Sequence, residues 1–279
     1  MSKDNKPSHF YKYCPVYSRP EQIIECNEID DLKVLGEYSL INLFKHQAKF
    51  SSRTDFNDLF DTRIDFIVPT KREIKSFLQQ LSAKERSQAK QFFTKDIGQR
   101  NFRTYRERVN KQMDAYKMFC VTVNGSNNLM WSHYTNYHSG FCIEFDSSKL
   151  FAEKVLYLPE LAKFKLLDIV KESYGLITEE QLGDLITEAM LTKLDEWEYE
   201  EEYRITASHE MDKTQLVQKE ADFAIYRTNP DWVKAVIFGH RMDEKVRRYI
   251  IEKYKNSVQY KVAVPDMRRG SIRIENYGD

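Results

Sequence analysis

Short apolar runs rich in β-branched and aromatic residues recur along this chain at uneven spacing, and they restrict its fold more than any other feature. Met118–Val123 (MFCVTV), Gly140–Phe145 (GFCIEF), Trp232–Gly239 (WVKAVIFG), Val258–Val264 (VQYKVAV) and Ser271–Tyr277 (SIRIENY) all have strand length and strand composition. Between them, apolar residues return at helical spacing. Ile74, Phe77, Leu78 and Leu81 make one such series, and Phe102, Tyr105, Val109, Met113 and Tyr116 make another. Strands broken irregularly by helices predict an α+β fold with mixed or antiparallel sheets forming a cleft, not a regular β-α-β alternation. The two series predict two or three helices over Thr70–Lys117, an inserted lobe within a single domain of residues 1–279.

The remaining elements follow from local patterns. His9–Val16 (HFYKYCPV) alternates until Pro15 and predicts a strand, as does Ala48–Ser52. Leu40–His46 predicts a short helix, and Asn57-Asp58 an Asx-type turn. Lys154–Leu158 predicts a strand, followed by helices over Leu161–Ser173 and Thr178–Trp197, the second capped by Thr178 with Gln181. Tyr199–Thr206 predicts a strand, and Met242–Lys255 an amphipathic helix with Val246, Tyr249, Ile250 and Tyr254 on one face.

Composition narrows the function classes. The 279 residues are 41% hydrophobic, enough for one large core or two small ones. No run approaches the roughly 20 apolar residues of a membrane span, and MSKDNKPSHFYKY lacks a signal-peptide core. The expectation is a soluble cytoplasmic protein with no membrane partner. Cys14, Cys26, Cys120 and Cys142 stand apart without a CxxC pair, which predicts free thiols rather than a disulfide framework or a four-cysteine zinc site. With only 9 glycines and no glycine-rich phosphate loop, the sequence argues against Walker-type and classic Rossmann nucleotide sites.

The net charge is +0, yet its distribution is uneven. From Lys71 to Lys117, thirteen Lys or Arg stand against five Asp or Glu; from Thr178 to Glu202, one Lys stands against ten acids. A basic lobe predicts attraction to a phosphate backbone. Two solvated helix faces of opposite sign account for the same counts.

Three clusters carry the candidate chemistry: FYKY at Phe10–Tyr13, WSHYTNYHSG at Trp131–Gly140 and WEYEEEYR at Trp197–Arg204. On a strand, Glu198, Glu200 and Glu202 share one face with Arg204, so like charges repel unless a cation or substrate faces them. His133 and His138 are five apart, about 140° around a helix, which argues against a metal site. Trp131, after Leu129-Met130, reads as core, and Gly140 as the turn into the next strand. Two imidazoles and two phenols so close together need hydrogen-bond partners when buried. No GxSxG elbow or catalytic cysteine signature supports a nucleophilic hydrolase.

FYKY, KFSSRTDFNDLFD, NNLMWSHYTNYHSGFCIEFD, WEYEEEYRI and VKAVIFGHRM, in this order, resemble a bacterial family of unknown function, domain of unknown function 2971. Leu59 stands where that family's FNDPFD motif has proline. The same order of elements is also similar to diphtheria-toxin-like and cholera-toxin-like ADP-ribosyltransferases. That resemblance implies a cleft between two sheets that binds NAD as substrate. It implies Tyr11 or Tyr13 gripping the cofactor, with Ser51, Ser52, Asn57 and His133 beside it. Tyr134 would stack on the nicotinamide, with Glu200 or Glu202 and His138 as catalytic groups. Where those enzymes place a His or Arg on the first strand, Lys12 and Tyr13 stand here. The implied activity is a toxin or anti-phage effector that modifies a nucleic acid or protein acceptor, restrained by a protein inhibitor or antitoxin. The alternatives are a metal-dependent nuclease using Glu200, Glu202, Asp58 and His138, or a non-catalytic nucleic-acid- or protein-binding module.

Overall fold

A computed structural model of the chain describes residues 7–207 and 213–278. In chain order the strands are β1 (His9–Cys14), β2 (Gln47–Ser51), β3 (Ile64–Ile67), β4 (Lys117–Thr122), β5 (Phe141–Asp146), β6 (Glu153–Lys154), β7 (Leu156–Leu158), β8 (Ala162–Lys165), β9 (Thr192–Leu194), β10 (Glu202–Ala207), β11 (Leu216–Lys219), β12 (Phe223–Arg227), β13 (Val233–Phe238), β14 (Gln259–Asp266) and β15 (Ser271–Asn276). The α-helices are α1 (Pro20–Ile24), α2 (Ile29–Val34), α3 (Tyr38–Phe44), α4 (Lys71–Gln79), α5 (Ala83–Phe92), α6 (Lys95–Ala115), α7 (Asn128–Tyr134), α8 (Leu166–Ser173), α9 (Glu179–Met190) and α10 (Glu244–Lys253). The architecture is α+β, as the sequence predicts, and the chain divides into two compact units.

The first unit comprises Met1–Ser51, Lys117–Val155 and Trp197–Asp279. Its sheet runs β11-β12-β2-β4-β1-β5-β13-β14-β15, with β10 on β4 and β6 on β10. Only the β13–β14 pairing in it is parallel. β13 is apolar apart from Lys234, which fits its central position, buried on both faces. One face packs Phe10, Phe50, Phe119, Val236 and Phe238 against α1–α3 and α10, whose Val246, Tyr249 and Ile250 are buried as their spacing predicts. The other face carries Tyr13, Cys142, Ile237 and Ala263, covered by Met130 and Trp131 of α7.

The sheet splits at β4. β10 lines one whole edge of β4, from Glu202↔Thr122 to Ala207↔Lys117. The opposite edge is shared: β1 meets it only at Tyr11↔Thr122, and β2 only at Ser51↔Met118. Between those points the strands part, and an open carbonyl there needs a donor. Lys12 supplies it, with Nζ 2.9 Å from the Cys120 carbonyl and the ammonium over the Phe119 ring.

The second unit comprises Ser52–Tyr116 and Leu156–Glu196. It holds two small parallel pairs, β3–β8 and β7–β9, and five helices, α4–α6, α8 and α9. Phe77, Leu81, Ala89, Phe102, Val109 and Met113 are buried, so the helical series read from the sequence become the inner faces of α4–α6. Thr70 and Glu73, Ser82 and Glu85, and Thr178 and Gln181 form reciprocal capping boxes at α4, α5 and α9. Asp58 Oδ1 accepts from Phe60 N at 2.9 Å, which is the predicted Asx turn.

Several expectations are corrected. Leu161–Ser173 is not all helix: Ala162–Lys165 is β8, recruited by β3, which the sequence reading missed. The helix predicted to reach Trp197 ends at Met190, and Thr192–Leu194 pairs with β7. Lys154–Leu158 is two strands, one in each unit. The strand predicted from Tyr199 starts at Glu202. Asp195–Glu200 is a 3₁₀ turn, and Glu201 takes a left-handed φ of 45°, so Glu198, Glu200 and Glu202 do not alternate along one strand face. WEYEEE has no β-branched residue to favour a strand, and its backbone is captured from the side at Tyr199.

Candidate functional site

Cross-strand register assembles the site. Glu144 of β5 lies opposite Tyr11 of β1, Tyr11 opposite Thr122 of β4, and Thr122 opposite Glu202 of β10. Directly opposed residues share a sheet face. Four polar side chains therefore form one row across four strands, roughly 14 Å from end to end at the usual strand spacing. The row crosses the sheet at the Tyr11↔Thr122 pairing, next to where β1 and β4 part.

Both ends of the row are ion-paired. Glu202 is buried against Arg204, whose Nε and Nη2 reach its two oxygens at 2.8 and 3.0 Å. Arg204 has no exposed surface. At the other end Lys261 Nζ holds Glu144 at 2.9 Å, with His9 Nε2 3.7 Å away. Burial, with the charge of Glu144 second, pushes the Tyr11 phenol up to about 12, so Tyr11 is a neutral phenol at physiological pH.

His9 and Glu144 also line a cleft of about 630 Å³, completed by Pro230, Asp231, Val233, Lys234 and Asn256–Gln259. Its size falls within the usual range for small-molecule sites. Its walls are mixed: Asp231 and Glu144 are acidic, while His9 and Lys234 are basic.

α7 carries the central cluster. Asn127 caps it, accepting from Leu129 N and Met130 N, and donates its amide at 2.6 Å to the Tyr199 carbonyl. One side chain thus ties the WSHY helix to the WEYE turn. Tyr134, on the last turn of α7, donates at 2.5 Å to Glu200, which is only 3% exposed. Such a buried phenol–carboxylate pair is charge-assisted and short. The His133 ring lies 6.5 Å from Tyr199, and Tyr199 6.1 Å from Trp197. Trp131 is fully buried, its indole donating to the Gly125 carbonyl at 2.9 Å. Gly125 packs on Tyr11 so closely that a Cβ there would lie 2.6 Å from the ring.

The predicted site residues therefore separate. Tyr11, Tyr134, Glu200 and Glu202 belong to the connected arrangement just described. Tyr13 is core: its ring meets Trp131 edge-on at 5.1 Å, and its hydroxyl donates to the Asn124 carbonyl. Ser51 ends β2. Ser52, Asn57 and Asp58 belong to the second unit, where the Ser52 hydroxyl donates to the Asp114 carbonyl at 2.8 Å. His138 lies beyond the end of α7 and meets His240 and Arg241, which together with burial pull its pKa below 6.5. Among the described residues no group of three His, Cys, Asp or Glu is placed to hold a metal ion. No described helix is long and apolar enough to cross a membrane.

His9, Glu144 and Lys261 were missed by sequence reasoning. His9 starts the first strand, two residues before Tyr11 and on the same face, and that alternation was available. Glu144 and Lys261 looked like ordinary charges in strands, and only the pairing of β5 with β1 brings Glu144 into the row.

No curated protein and no solved structure matches the chain. The family model described as "Protein of unknown function (DUF2971)" matches residues 130–205. That span contains α7 from Met130 onward, the left-handed turn after it, β5 and the Tyr134–Glu200 and Glu202–Arg204 partners. The resemblance to domain of unknown function 2971 is thus borne out over the two sequence clusters that build the candidate site.

Proposed function

We propose that the first unit is an NAD-dependent ADP-ribosyltransferase domain. The observation that supports this best is the row Glu144–Tyr11–Thr122–Glu202 on a split sheet, beside a cleft sized for a nucleotide and lined by His9 of the first strand. His9 lies two residues before Tyr11 on the same strand face and would add a basic group beside the cofactor. In the reaction the glycosidic bond between ribose and nicotinamide breaks, nicotinamide leaves with the bonding pair, and an oxocarbenium-like cation develops. A buried carboxylate stabilises that cation electrostatically.

Tyr134 and Glu200 act as one unit: the phenol fixes the carboxylate, and its ring offers a face to the nicotinamide. Glu202, fixed by Arg204, holds a ribose hydroxyl. The acceptor then attacks the anomeric carbon and loses its proton. The exposed cations Lys71, Arg72, Lys75, Arg100, Arg103 and Lys111 of α4 and α6 favour a polyanionic acceptor, a nucleic acid ahead of a protein. On this reading the protein is a cytoplasmic effector, a toxin or an anti-phage agent, restrained by a protein inhibitor.

The test is incubation of the purified chain with NAD labelled in its adenylate half, together with RNA, DNA or lysate protein. Label is expected to enter a macromolecule, and Glu200→Gln to abolish transfer while the variant stays folded. No transfer to any of the three acceptors, or equal transfer by Glu200→Gln, overturns the assignment.

A further inference from the structure

The turn after α7 holds Asn136, Tyr137 and His138 at φ 49°, 56° and 70°, three consecutive non-glycine residues in the left-handed region. Each costs about 1–2 kcal/mol relative to ordinary backbone. Such strain persists where surrounding bonds over-determine it, and it concentrates at functional positions. Here Tyr137 N bonds the Ser132 carbonyl, His138 N the Trp131 carbonyl and Gly140 N the Thr135 carbonyl. The Asn136 amide donates to the Val16 carbonyl at 2.8 Å.

The turn is zipped to the loop after β13. Gly239 N donates to the Gly140 carbonyl at 2.9 Å, and Arg241 N to the His138 carbonyl at 3.0 Å. The approach is so close that a Cβ on Gly239 would lie 2.1 Å from the His138 oxygen. This brings half-buried His138 together with exposed His240 and Arg241. Burial, then Arg241, then His240 depress the His138 imidazole. Below them Arg247 donates to the carbonyls of Gly239 and His240, and its buried Nε has no partner.

In the turn that follows, Asp243 caps Lys245 N at 2.8 Å, and Glu244 holds Arg248 at 3.1 Å and the Tyr277 hydroxyl at 2.5 Å, with Arg247 Nη1 3.8 Å away. Arg241 and two imidazoles are thus held together where the strained turn is zipped to the loop after β13. From this geometry we infer that His138, His240 and Arg241 form a binding site for a phosphoryl anion. The guanidinium gives a fork suited to phosphate oxygens, and the imidazoles add two donors once the anion is present. The site is independent of the NAD reading, since it uses none of the Glu144–Glu202 row.

The phosphoryl group has two sources, a soluble nucleotide or a nucleic-acid backbone, and the experiment separates them. The full chain is titrated with inorganic pyrophosphate, with ADP and with a short single-stranded oligonucleotide, following heat capacity and histidine Cε1–H proton signals. Saturable binding that shifts the His138 and His240 signals is expected, and Arg241→Ala should weaken it about tenfold or more. Tighter ADP binding assigns the site to a nucleotide, and tighter oligonucleotide binding to a backbone. His240→Gln, at an exposed position, serves as a second variant should Arg241→Ala fold poorly. Absence of saturable binding by all three probes, or binding unchanged in both variants, overturns the site.

Discussion

At the scale of single residues, the buried Glu202–Arg204 pair makes the sharpest energetic statement. Removing one partner strands a charge in a dry interior, whereas removing both replaces a desolvated pair by apolar volume. Glu202→Leu alone is expected to destabilise by about 3–5 kcal/mol, and the Glu202→Leu/Arg204→Leu double variant by clearly less, measured as a double-mutant cycle in urea. Additive effects would show that the pair does not act as a pair. The opposite sign is expected at Tyr137, which is 68% exposed at φ 56°. Tyr137→Gly removes a left-handed penalty and almost no packing, so stability should rise by about 0.5–1 kcal/mol. Gly140→Ala should do the reverse: its Cβ would fall 2.1 Å from the Cys14 carbonyl, and a variant melting normally would contradict that approach. Trp131 as core and Gly140 as a turn were legible in the sequence because one is apolar and follows an apolar pair, and the other has no side chain. That Tyr134 bonds Glu200 was not legible, since the two are 66 residues apart and nothing local marks either as the other's partner.

Among the elements, strongly patterned ones were the most legible. β13 and α10 appear where period and composition put them. Their faces are decided by many apolar residues at once, so one misread residue changes little. Short elements held only by distant pairing were lost: β3 exists because β8 lies beside it, and the acidic run before β10 turns because Asn127 captures it. The loop before β3 shows how a polar anchor substitutes for such patterning. Arg53 is buried and donates to Asp114 at 2.7 Å, to the Thr62 carbonyl at 2.8 Å and to Asn110 Oδ1 at 2.9 Å. Arg53→Met keeps the volume and loses every one of those donors, leaving the buried Thr62 carbonyl unsatisfied and Asp114 and Asn110 without their partner. It is expected to cost about 3–5 kcal/mol and to speed amide exchange first across residues 53–62 and the end of α6. Unchanged exchange in that segment would mean that Arg53 is not its anchor.

For the whole molecule, histidine titration sets one margin of stability. Burial lowers the His46 pKa below 6.5, and its Nδ1 has no partner; burial, Arg241 and His240 lower that of His138. Both imidazoles are easier to protonate in the unfolded chain than in the folded one. Their contribution is therefore intact above about pH 6.5 and is lost as pH falls below it. The urea midpoint should be lower at about pH 5.5 than at about pH 7.5, and the fall should flatten in a His46→Gln/His138→Gln variant. A fall of equal size in the variant would place the effect on other groups. The single α+β classification was legible because it needs only the kinds of element. The division into two units was not, because each unit is made of chain stretches that are far apart in sequence. That interleaving has a consequence for synthesis. β1 leaves the ribosome well before its partners, since the carbonyl that receives its Tyr13 hydroxyl lies 111 residues downstream, and its partner β5 follows later still. A newly made β1 must wait with Phe10 and Tyr13 unburied while the first stretch of the second unit is translated. The first unit completes its sheet only once β15, the last strand of its path, has been made.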